Sequence, residues 1–307
     1  MAPLKKRVKN TLIYWLVIAV VGLLRALPRK AALGIMRGLG SLAFTVAGKE
    51  REKTLRHLTW AYGHASTPQE IKRMGRTVFK NLAATAADAV RLPKILDAGI
   101  NNLVRCQGVE KLRAAHARGK GVIVLTGHFG NWELFGAWVA QNGFPTKVVG
   151  RSAYDPRLDR MIVSMRNRAG YTNIARGKGT RELLRALRDN YCVGMLVDQD
   201  TKVEGVFVRF FGRPAHTAVG PVILAAKLGA ALLPAFIHRE PDDTYVIEFD
   251  DEIILENSAD EAQDLVTNTQ KISDAYEKAI RRFPEQWVWM HERWKKQPGD
   301  VIEQVDA

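Results

Sequence analysis

A histidine and a glutamate five positions apart, His128 and Glu133, form the residue pair best suited to chemistry in this sequence. Histidine has an unperturbed pKa of about 6.5, so an imidazole can accept a proton near neutral pH. A carboxylate within hydrogen-bond reach would fix the tautomer of that ring and stabilise the imidazolium. The sequence therefore predicts that His128 is a general base with Glu133 as its partner.

No serine or cysteine stands close to this pair to act as the nucleophile. The proton would then come from a substrate hydroxyl or amine, which would attack an activated acyl group directly, without a covalent acyl-enzyme. The alternative is structural: His128 caps a turn of the core, and Glu133 is a solvated residue in the first turn of a helix. The spacing alone leaves both interpretations open.

The segment around the pair predicts a strand, a sharp turn and a helix. Residues 122–126 are mostly apolar and β-branched, which indicates a buried strand, and Gly127 lets the backbone turn away from the sheet. Asn131 is a candidate N-cap for a helix that begins at Trp132. His128 is thus expected at the carboxyl end of a strand, where open α/β sheets bind their ligands.

Three later strands, predicted at 146–149, 171–175 and 192–197, also end in polar residues. Strands and helices alternate, so we expect an α/β fold with a mainly parallel central sheet flanked by helices. The carboxyl ends of parallel strands share one edge, and the polar residues at these ends should converge with His128. The candidate substrate-binding residues are Arg151, Arg176, Asp198 and Asp200.

The two aspartates could suggest a metal, but no cluster of His, Cys or carboxylate residues has the spacing of a metal site. We therefore expect no metal and no cofactor. The loop Gly177-Lys-Gly-Thr180 resembles a phosphate cradle only loosely, because it lacks the spacing of a P-loop. Three other histidines are interpreted as packing or surface residues: His216, His238 and His291.

The composition points to an anionic partner and a reducing compartment. The chain has 307 residues and a formal net charge of +14, which would suit nucleic acid, an anionic membrane, a phosphorylated lipid or an acidic protein. The charge alone does not choose among these partners. Only two cysteines, Cys106 and Cys192, occur far apart, so a disulfide framework is not expected.

The amino-terminal segment places an apolar run, residues 11–24, between clusters of cations. Three interpretations are possible: a cleaved signal peptide, an interior helix and a membrane anchor. The signal peptide is disfavoured, because no convincing cleavage site follows the run and the later arginines oppose export. We prefer an anchor over residues 1–30, with 31–48 continuing the membrane contact and a single α/β domain over 31–307. The flanking cations are Lys5, Lys6, Arg7, Lys9, Arg25, Arg29 and Lys30.

Two capping boxes mark further helices. Thr67-Pro-Gln-Glu70 predicts a helix to about Leu92, and Ser258-Ala-Asp-Glu261 predicts another to Arg282. Other helices are expected over 109–118, 156–169 and 218–228, and one that contains Leu183, Leu184 and Leu187; strands are expected over 231–237 and 245–249. Residues 206–211 predict a strand that runs into a loop at 212–217, and the tryptophans of 284–294 are interpreted as packing residues or interfacial anchors.

Several motifs together resemble the late acyltransferases of lipid A biosynthesis, within the wider glycerolipid acyltransferase-like group, and the similarity spans nearly the whole chain. These motifs are Gly127-His-Phe-Gly-Asn-Trp-Glu133, Gly150-Arg151 followed by Asp155-Pro-Arg-Leu-Asp159, Leu196-Val-Asp-Gln-Asp200, Phe210-Phe-Gly-Arg-Pro-Ala215 and Pro284-Glu-Gln-Trp-Val-Trp-Met-His-Glu-Arg-Trp294.

The resemblance implies transfer of a fatty acyl chain from acyl carrier protein to a hydroxyl of a lipid A precursor, at the cytoplasmic face of the inner membrane. It also implies an acyltransferase-like fold without a cofactor. The family's histidine and acid fall on His128 and Glu133. Its arginine after the next strand falls on Arg151, its acidic strand end falls on Asp198 and Asp200, and Arg176 is the least secure match.

Three rival functions remain open. The same site could use acyl-CoA and another acceptor, such as a phosphatidylinositol mannoside or a lysophospholipid. A basic adaptor for membranes or nucleic acid would have no catalytic residues, but it would spread its polar residues over a face rather than at strand ends, so we expect no nucleic-acid partner. Acyl hydrolysis is disfavoured by the missing nucleophile.

Overall fold

A seven-stranded, mostly parallel sheet forms the centre of the computed structural model, which describes residues 4–176 and 179–300, with side chains from residue 8 onward. Its strand order is β1-β9-β8-β2-β5-β3-β4, and β6 and β7 form a separate antiparallel hairpin. The strands are β1 (Val104–Gln107), β2 (Val122–Thr126), β3 (Thr146–Gly150), β4 (Tyr171–Ala175), β5 (Cys192–Leu196), β6 (Gly205–Phe210), β7 (Arg213–Ala218), β8 (Ala231–Arg239) and β9 (Tyr245–Phe249).

The five strands β8, β2, β5, β3 and β4 are parallel neighbours, and β9 and β1 run in the opposite direction. Helices cover both faces of this sheet. They are α1 (Leu4–Ala26), α2 (Arg29–Val46), α3 (Gly48–Tyr62), α4 (Pro68–Val90), α5 (Leu92–Asp97), α6 (Val109–Ala117), α7 (Trp132–Gln141), α8 (Pro156–Arg168), α9 (Thr180–Arg188), α10 (Gly220–Leu228) and α11 (Glu261–Arg282).

The central strand β2 is buried at every residue, as its apolar sequence predicts. Its side chains alternate between two cores, because successive residues of a strand point to opposite faces. Ile123 and Leu125 belong to the core that contains Ile272 of α11. Val122 and Val124 belong to the other core, which contains Leu134 of α7. The end of β2 is therefore held rigidly on both sides.

Most predicted elements are confirmed, and the differences have local causes. The Thr67 capping box is present with both of its hydrogen bonds. The second box is wrong: α11 begins at Glu261, its N-cap is Asp260, and Ser258 binds Asp264 instead. The loop expected at 212–217 is the strand β7, which pairs with β6. The short strand β1 and the helices α3 and α5 were not predicted.

The amino-terminal helices expose apolar side chains. Of the residues described, only the helix segment Val8–Ala26 is long and apolar enough to cross a membrane, and 11% of it is buried. Trp15 and Leu16 of α1 and Leu42 of α2 are more than half exposed. The side chains of Lys5, Lys6 and Arg7, the loop residues Gly177 and Lys178, and residues 301–307 lie outside the described part.

A buried carboxylate ties α2 and α4 to the sheet. Asp88 of α4, which is fully buried, accepts two hydrogen bonds from Arg29 at 2.8 Å. It also accepts hydrogen bonds from Arg239 of β8 at 2.9 Å and from the Tyr245 hydroxyl at 2.8 Å. The Arg239 side chain is 5% exposed, so its charge depends on carboxylates such as Asp88 for compensation.

We expect Asp88→Asn to lower the free energy of unfolding by about 3–5 kcal/mol, because it leaves a buried arginine without its full counter-charge. Urea unfolding followed by circular dichroism measures this change. Asp97→Asn is the matched control, since Asp97 pairs with Arg168 at the surface with side chains 64% and 55% exposed. The control should cost at most about 1 kcal/mol. Equal losses in both variants would contradict the role of the buried network.

Candidate active site

His128 lies at the turn that follows β2, on the edge formed by the carboxyl ends of the parallel strands. Its side chain is 26% exposed, so it is accessible although its surroundings are packed. The preceding residue must be small: a Cβ at Gly127 would lie 3.0 Å from both a carboxylate oxygen of Asp198 and the ring of Tyr276. The close approach of β2 to the Asp198 carboxylate therefore depends on Gly127.

The carboxylate next to His128 is that of Asp198, which follows the neighbouring strand β5. Nδ1 of His128 lies 3.0 Å from Oδ1 of Asp198, and the backbone N–H of His128 donates to Oδ2 at 2.8 Å. The indole N–H of Trp287 donates to the same Oδ2 at 2.8 Å. With Nδ1–H donated to the carboxylate, Nε2 of His128 is left as the basic nitrogen.

The Asp198 side chain has no exposed surface. Burial alone would raise its pKa, but the charge of His128 and the hydrogen bonds from His128 and Trp287 outweigh burial and lower the pKa to about 2. Asp198 is therefore ionised at neutral pH. A fixed negative charge beside Nδ1 stabilises the imidazolium that forms when His128 accepts a proton.

Two further side chains surround the His128 ring. The Gln199 side-chain amide lies on the same side of the ring as Asp198, with 2.8 Å between its nitrogen and Nδ1. Because Nδ1–H is donated to Asp198, the amide orientation that suits this tautomer is the flipped one, in which the Gln199 oxygen faces Nδ1–H. The Trp132 ring lies edge-on to His128, with 5.2 Å between ring centroids. Together with the Asp198 carboxylate, these contacts fix the orientation of the imidazole.

The predicted hydrogen bond between Glu133 and His128 is wrong. Within the described chain, the Glu133 carboxylate instead accepts two hydrogen bonds from Arg166 of α8, one of them at 2.8 Å, and one from the Tyr171 hydroxyl at 2.8 Å. The bidentate arginine and the buried tyrosine bind this carboxylate on the side of α8 and β4. Asp198, delivered by the adjacent strand, occupies the position next to the imidazole.

Arg151 and Arg176 do lie at the predicted sheet edge. They follow β3, which is next to β5, and β4, which is next to β3, so the edge carries His128, Asp198, Arg151 and Arg176 in that spatial order. Neighbouring strands are about 4.8 Å apart, which spreads these residues along the edge over roughly 14 Å. Both arginine side chains are exposed and have no side-chain partner in residues 4–176 and 179–300.

Asp200, predicted from the sequence to bind substrate, has a buried side chain that contacts protein groups. Its side chain is 3% exposed, and its carboxylate accepts a hydrogen bond from the backbone N–H of Lys296 at 2.8 Å. The Lys296 ammonium and the His216 ring each lie 3.3 Å from Oδ1 of Asp200. Asp200 therefore fastens the carboxyl-terminal segment to the end of β5 rather than facing a substrate.

Residues 284–294 reach the candidate site, although no residue of this motif was among the predicted site residues. The backbone N–H of Gly130 donates to Gln286 at 2.9 Å, and that of Val288 donates to His128 at 3.1 Å. This segment delivers Trp287 to Asp198 and brings His291 beside His128, with ring centroids 5.3 Å apart. From the sequence, Trp287 was interpreted as a packing or interfacial residue and His291 as a packing or surface residue. No spacing within the segment relates them to Asp198 and His128, which lie more than 80 positions earlier.

The arrangement suits proton abstraction from a substrate rather than covalent catalysis by a cysteine. Cys192 begins β5 at the opposite edge of the sheet, and burial raises its pKa to about 12. Burial likewise raises the pKa of Cys106, on β1, to about 12. No group of three or more metal-binding side chains occurs in the portion of the chain that the structure describes.

Comparisons with known proteins agree with an acyl-transfer site. The family model for bacterial lipid A biosynthesis acyltransferases matches residues 2–296. The chain is 26% identical over 278 residues to the phosphatidylinositol mannoside acyltransferase of Mycolicibacterium smegmatis, covering 89% of this chain and 88% of that protein. It is 27% identical over 292 residues to the lipid A biosynthesis lauroyltransferase of Escherichia coli K12, covering 94% and 92%.

Two isosteric substitutions separate the roles of the two carboxylates. We expect Asp198→Asn to lower kcat for acyl transfer by about 10²- to 10⁴-fold, because the amide can neither hold the Nδ1–H tautomer nor stabilise the imidazolium. Glu133→Gln should cost less, since Glu133 contacts Arg166 and not the imidazole. Steady-state kinetics on both folded variants tests this order, and a larger loss in Glu133→Gln would contradict the structural assignment.

Proposed function

Because the chain belongs to the bacterial lipid A biosynthesis acyltransferase family, we propose that it transfers a fatty acyl chain from acyl carrier protein to a hydroxyl of a lipid A precursor. The observation that carries this proposal is the accessible imidazole of His128 hydrogen-bonded to the buried carboxylate of Asp198. The family makes the protein an acyltransferase with a lipid acceptor and an acyl donor. What we propose beyond the family is that the acyl donor is acyl carrier protein and that the acceptor is a lipid A precursor.

In the proposed reaction, Nε2 of His128 removes the proton of the acceptor hydroxyl as its oxygen attacks the thioester carbonyl carbon. Asp198 stabilises the resulting imidazolium through Nδ1–H. The tetrahedral intermediate then breaks the carbon–sulfur bond, and the departing thiolate takes the proton from His128. The products are an ester and a free thiol, and no acyl-enzyme forms.

Glu133 would contribute by positioning rather than by contact with the imidazole. It lies in the first turn of α7, one residue after Trp132, whose ring contacts His128. Its pairing with Arg166 and Tyr171 holds this helix start against α8 and β4. We therefore propose that Glu133 keeps the turn that carries His128 in its active shape.

Arg151 and Arg176 would bind anionic groups of the substrates. Their guanidinium groups are exposed at the same sheet edge as His128, and such groups bind phosphate in a bidentate manner. A phosphorylated glycolipid acceptor carries such groups beside its hydroxyls. We assign Arg151, which lies nearer to His128 in the strand order, the larger part in acceptor binding.

The choice of a carrier protein as donor is supported by a row of arginines on α9. Arg181, Arg185 and Arg188 occur at positions i, i+4 and i+7, so they share one helix face, and all three are exposed. They have no partner among the residues described, whereas Glu182 of the same helix pairs with Lys147. An acidic carrier protein would be attracted to such a surface.

The exposed apolar residues of α1 and α2 support the proposed location at the cytoplasmic face of the inner membrane. Tyr14 and Trp15 pack edge-on, with ring centroids 5.4 Å apart, and aromatic residues of this kind favour the headgroup level of a bilayer. Arg157, in the first turn of α8, lies over the Tyr14 ring at 4.3 Å. The anchor would thus be joined to the helix that follows Arg151. We propose that residues 1–30 form the anchor and that residues 31–307 form one domain.

A second candidate is acyl transfer from acyl-CoA to a phosphatidylinositol mannoside. It is favoured by the similarity to the Mycolicibacterium smegmatis relative, which is named a phosphatidylinositol mannoside acyltransferase. The same catalytic pair serves both reactions, so the substrates alone distinguish them.

The proposed function is tested with the purified full chain in detergent. Each donor, lauroyl-acyl carrier protein or lauroyl-CoA, is incubated with the protein and either a lipid A precursor or a phosphatidylinositol mannoside. The masses of the lipid products are then measured by mass spectrometry. We expect a mass increase of one lauroyl group on the lipid A precursor, fastest with the carrier protein.

His128→Ala should remove this product without unfolding the protein, because the general base is lost. Acylation of the mannoside alone would favour the second candidate, and product from His128→Ala would overturn the mechanism.

Reversal of charge at Arg151 tests acceptor binding. We expect Arg151→Glu to raise the KM for the phosphorylated acceptor about 10-fold, because a charge-assisted hydrogen bond to phosphate becomes a repulsion. Arg113→Glu is the control, since Arg113 is an exposed residue of α6, which connects to β2 at the opposite edge of the sheet. If both variants keep the KM of the unaltered protein, Arg151 is only a surface residue.

A further inference from the structure

His291 is the second imidazole at the catalytic edge. Its ring centroid lies 5.3 Å from that of His128, and the two ring planes are inclined by 55°. The residue is half-buried, and it comes from the carboxyl-terminal segment rather than from a strand end. His291 is therefore a direct neighbour of the ring that would accept the substrate proton.

The ring nitrogens of His291 have no hydrogen-bond partner in the described chain, which distinguishes it from the other histidines that are at least half-buried. His57 contacts the Trp289 carbonyl at 2.8 Å, and His238 contacts Glu240 at 2.7 Å. The remaining three pair in the same way with protein groups: His116 with Asn190, His128 with Asp198 and His216 with Asp200. Histidine nitrogens without a protein partner beside a catalytic base are available to a ligand.

His291 is neutral at physiological pH. Burial, and then the charge on His128, lower its pKa to about 4. A neutral imidazole has one N–H donor and one acceptor nitrogen. Since the two rings disfavour carrying charge together, a proton taken from the substrate stays on His128, which Asp198 stabilises. His291 can therefore donate a hydrogen bond without competing for that proton.

The segment that carries His291 is fixed on both sides. Before it, the indole N–H of Trp287 is bound by Asp198, and the Val288 N–H is bound by the His128 carbonyl. After it, the buried Arg293 donates to the His216 carbonyl at 2.5 Å and to the Thr217 hydroxyl at 2.6 Å. The backbone that carries His291 is therefore fixed, which limits the reorganisation of a donor at this position when charge develops on a substrate.

We propose that His291 is a second catalytic residue, which donates an N–H hydrogen bond to the thioester carbonyl oxygen as that oxygen becomes negatively charged. The inference rests on the proposed acyl transfer. When the acceptor oxygen bonds to the carbonyl carbon, the π electron pair moves to the carbonyl oxygen and the hydroxyl proton moves to Nε2 of His128. His291 stabilises this oxyanion until the carbon–sulfur bond breaks and the thiolate takes the proton from His128.

The test compares His291→Ala and His291→Gln with the unaltered protein. Loss of one oxyanion donor typically lowers kcat by about 10²- to 10³-fold, so we expect this loss in His291→Ala with little change in KM. His291→Gln keeps an N–H donor and should recover at least part of the rate. His64→Ala, at an exposed histidine of the loop after α3, is the control and should leave kcat unchanged. Circular dichroism and the Tm establish that each variant is folded.

Hydrolysis of lauroyl-CoA, followed by release of the CoA thiol, supplies a second readout. An oxyanion donor acts on the thioester, so His291→Ala should slow hydrolysis and lipid acylation together. Loss of acylation alone, or a rise in the KM for the acceptor at constant kcat, would overturn the inference in favour of acceptor binding. A His291→Ala protein with normal rates would overturn it as well. None of these results would contradict the proposed function as long as His128→Ala remains inactive. Failure of the unaltered protein to acylate any lipid would refute both the proposed function and the role of His291.

Discussion

The whole site depends on a single buried charge, the carboxylate of Asp198. A carboxylate without solvent contact is costly unless its oxygens are bound by donors, and the structure supplies three, two from His128 and one from Trp287. The donors belong to the turn after β2 and to the carboxyl-terminal segment, so satisfying the charge also brings these two parts of the chain together at the end of β5. The same hydrogen bonds that stabilise Asp198 orient the imidazole and retain the carboxyl-terminal segment.

The need to bind the buried Asp198 charge explains why residues 284–300 are held against the end of β5 by polar contacts. The segment lacks regular secondary structure after the short turn at Pro284–Gln286, and it is held by buried polar contacts instead. Arg293 is 2% exposed, and burial lowers its pKa to about 10, so it remains a cation near the two aspartates that follow β5. Lys296 binds Asp200 on the same side. The chain thus balances a buried negative centre with cations from its own end.

The fold was predictable from the sequence because its signals are local. The apolar run of β2, the Thr67 capping box and the alternation of strands and helices each depend on neighbouring residues, and all were confirmed. The strand β1 was missed because its four residues, two of them polar or charged, carry no apolar run. The capping box at Ser258 failed because Asp260, two residues later, provides a competing cap.

The candidate site was predictable only in part, for the same reason. Strand ends located His128, Arg151, Arg176 and Asp198 on one edge, since parallel topology alone places them there. Local spacing then chose the wrong partner for His128. Glu133 is near in sequence but turns towards Arg166, whereas Asp198 is 70 positions away and adjacent in space. The contributions of Trp287 and His291 depend on the path of the carboxyl-terminal segment, which no motif records.

The central claim, that Asp198 fixes His128 as a base through Nδ1–H, is tested most directly by ¹⁵N NMR of the histidine-labelled protein, with the His128 signals assigned by their loss in His128→Gln. We predict that the neutral ring of His128 carries its proton on Nδ1, and that Asp198→Asn abolishes this preference while Glu133→Gln preserves it. A neutral His128 protonated on Nε2 in the unaltered protein would contradict the claim, because the nitrogen that must accept the substrate proton would already be occupied.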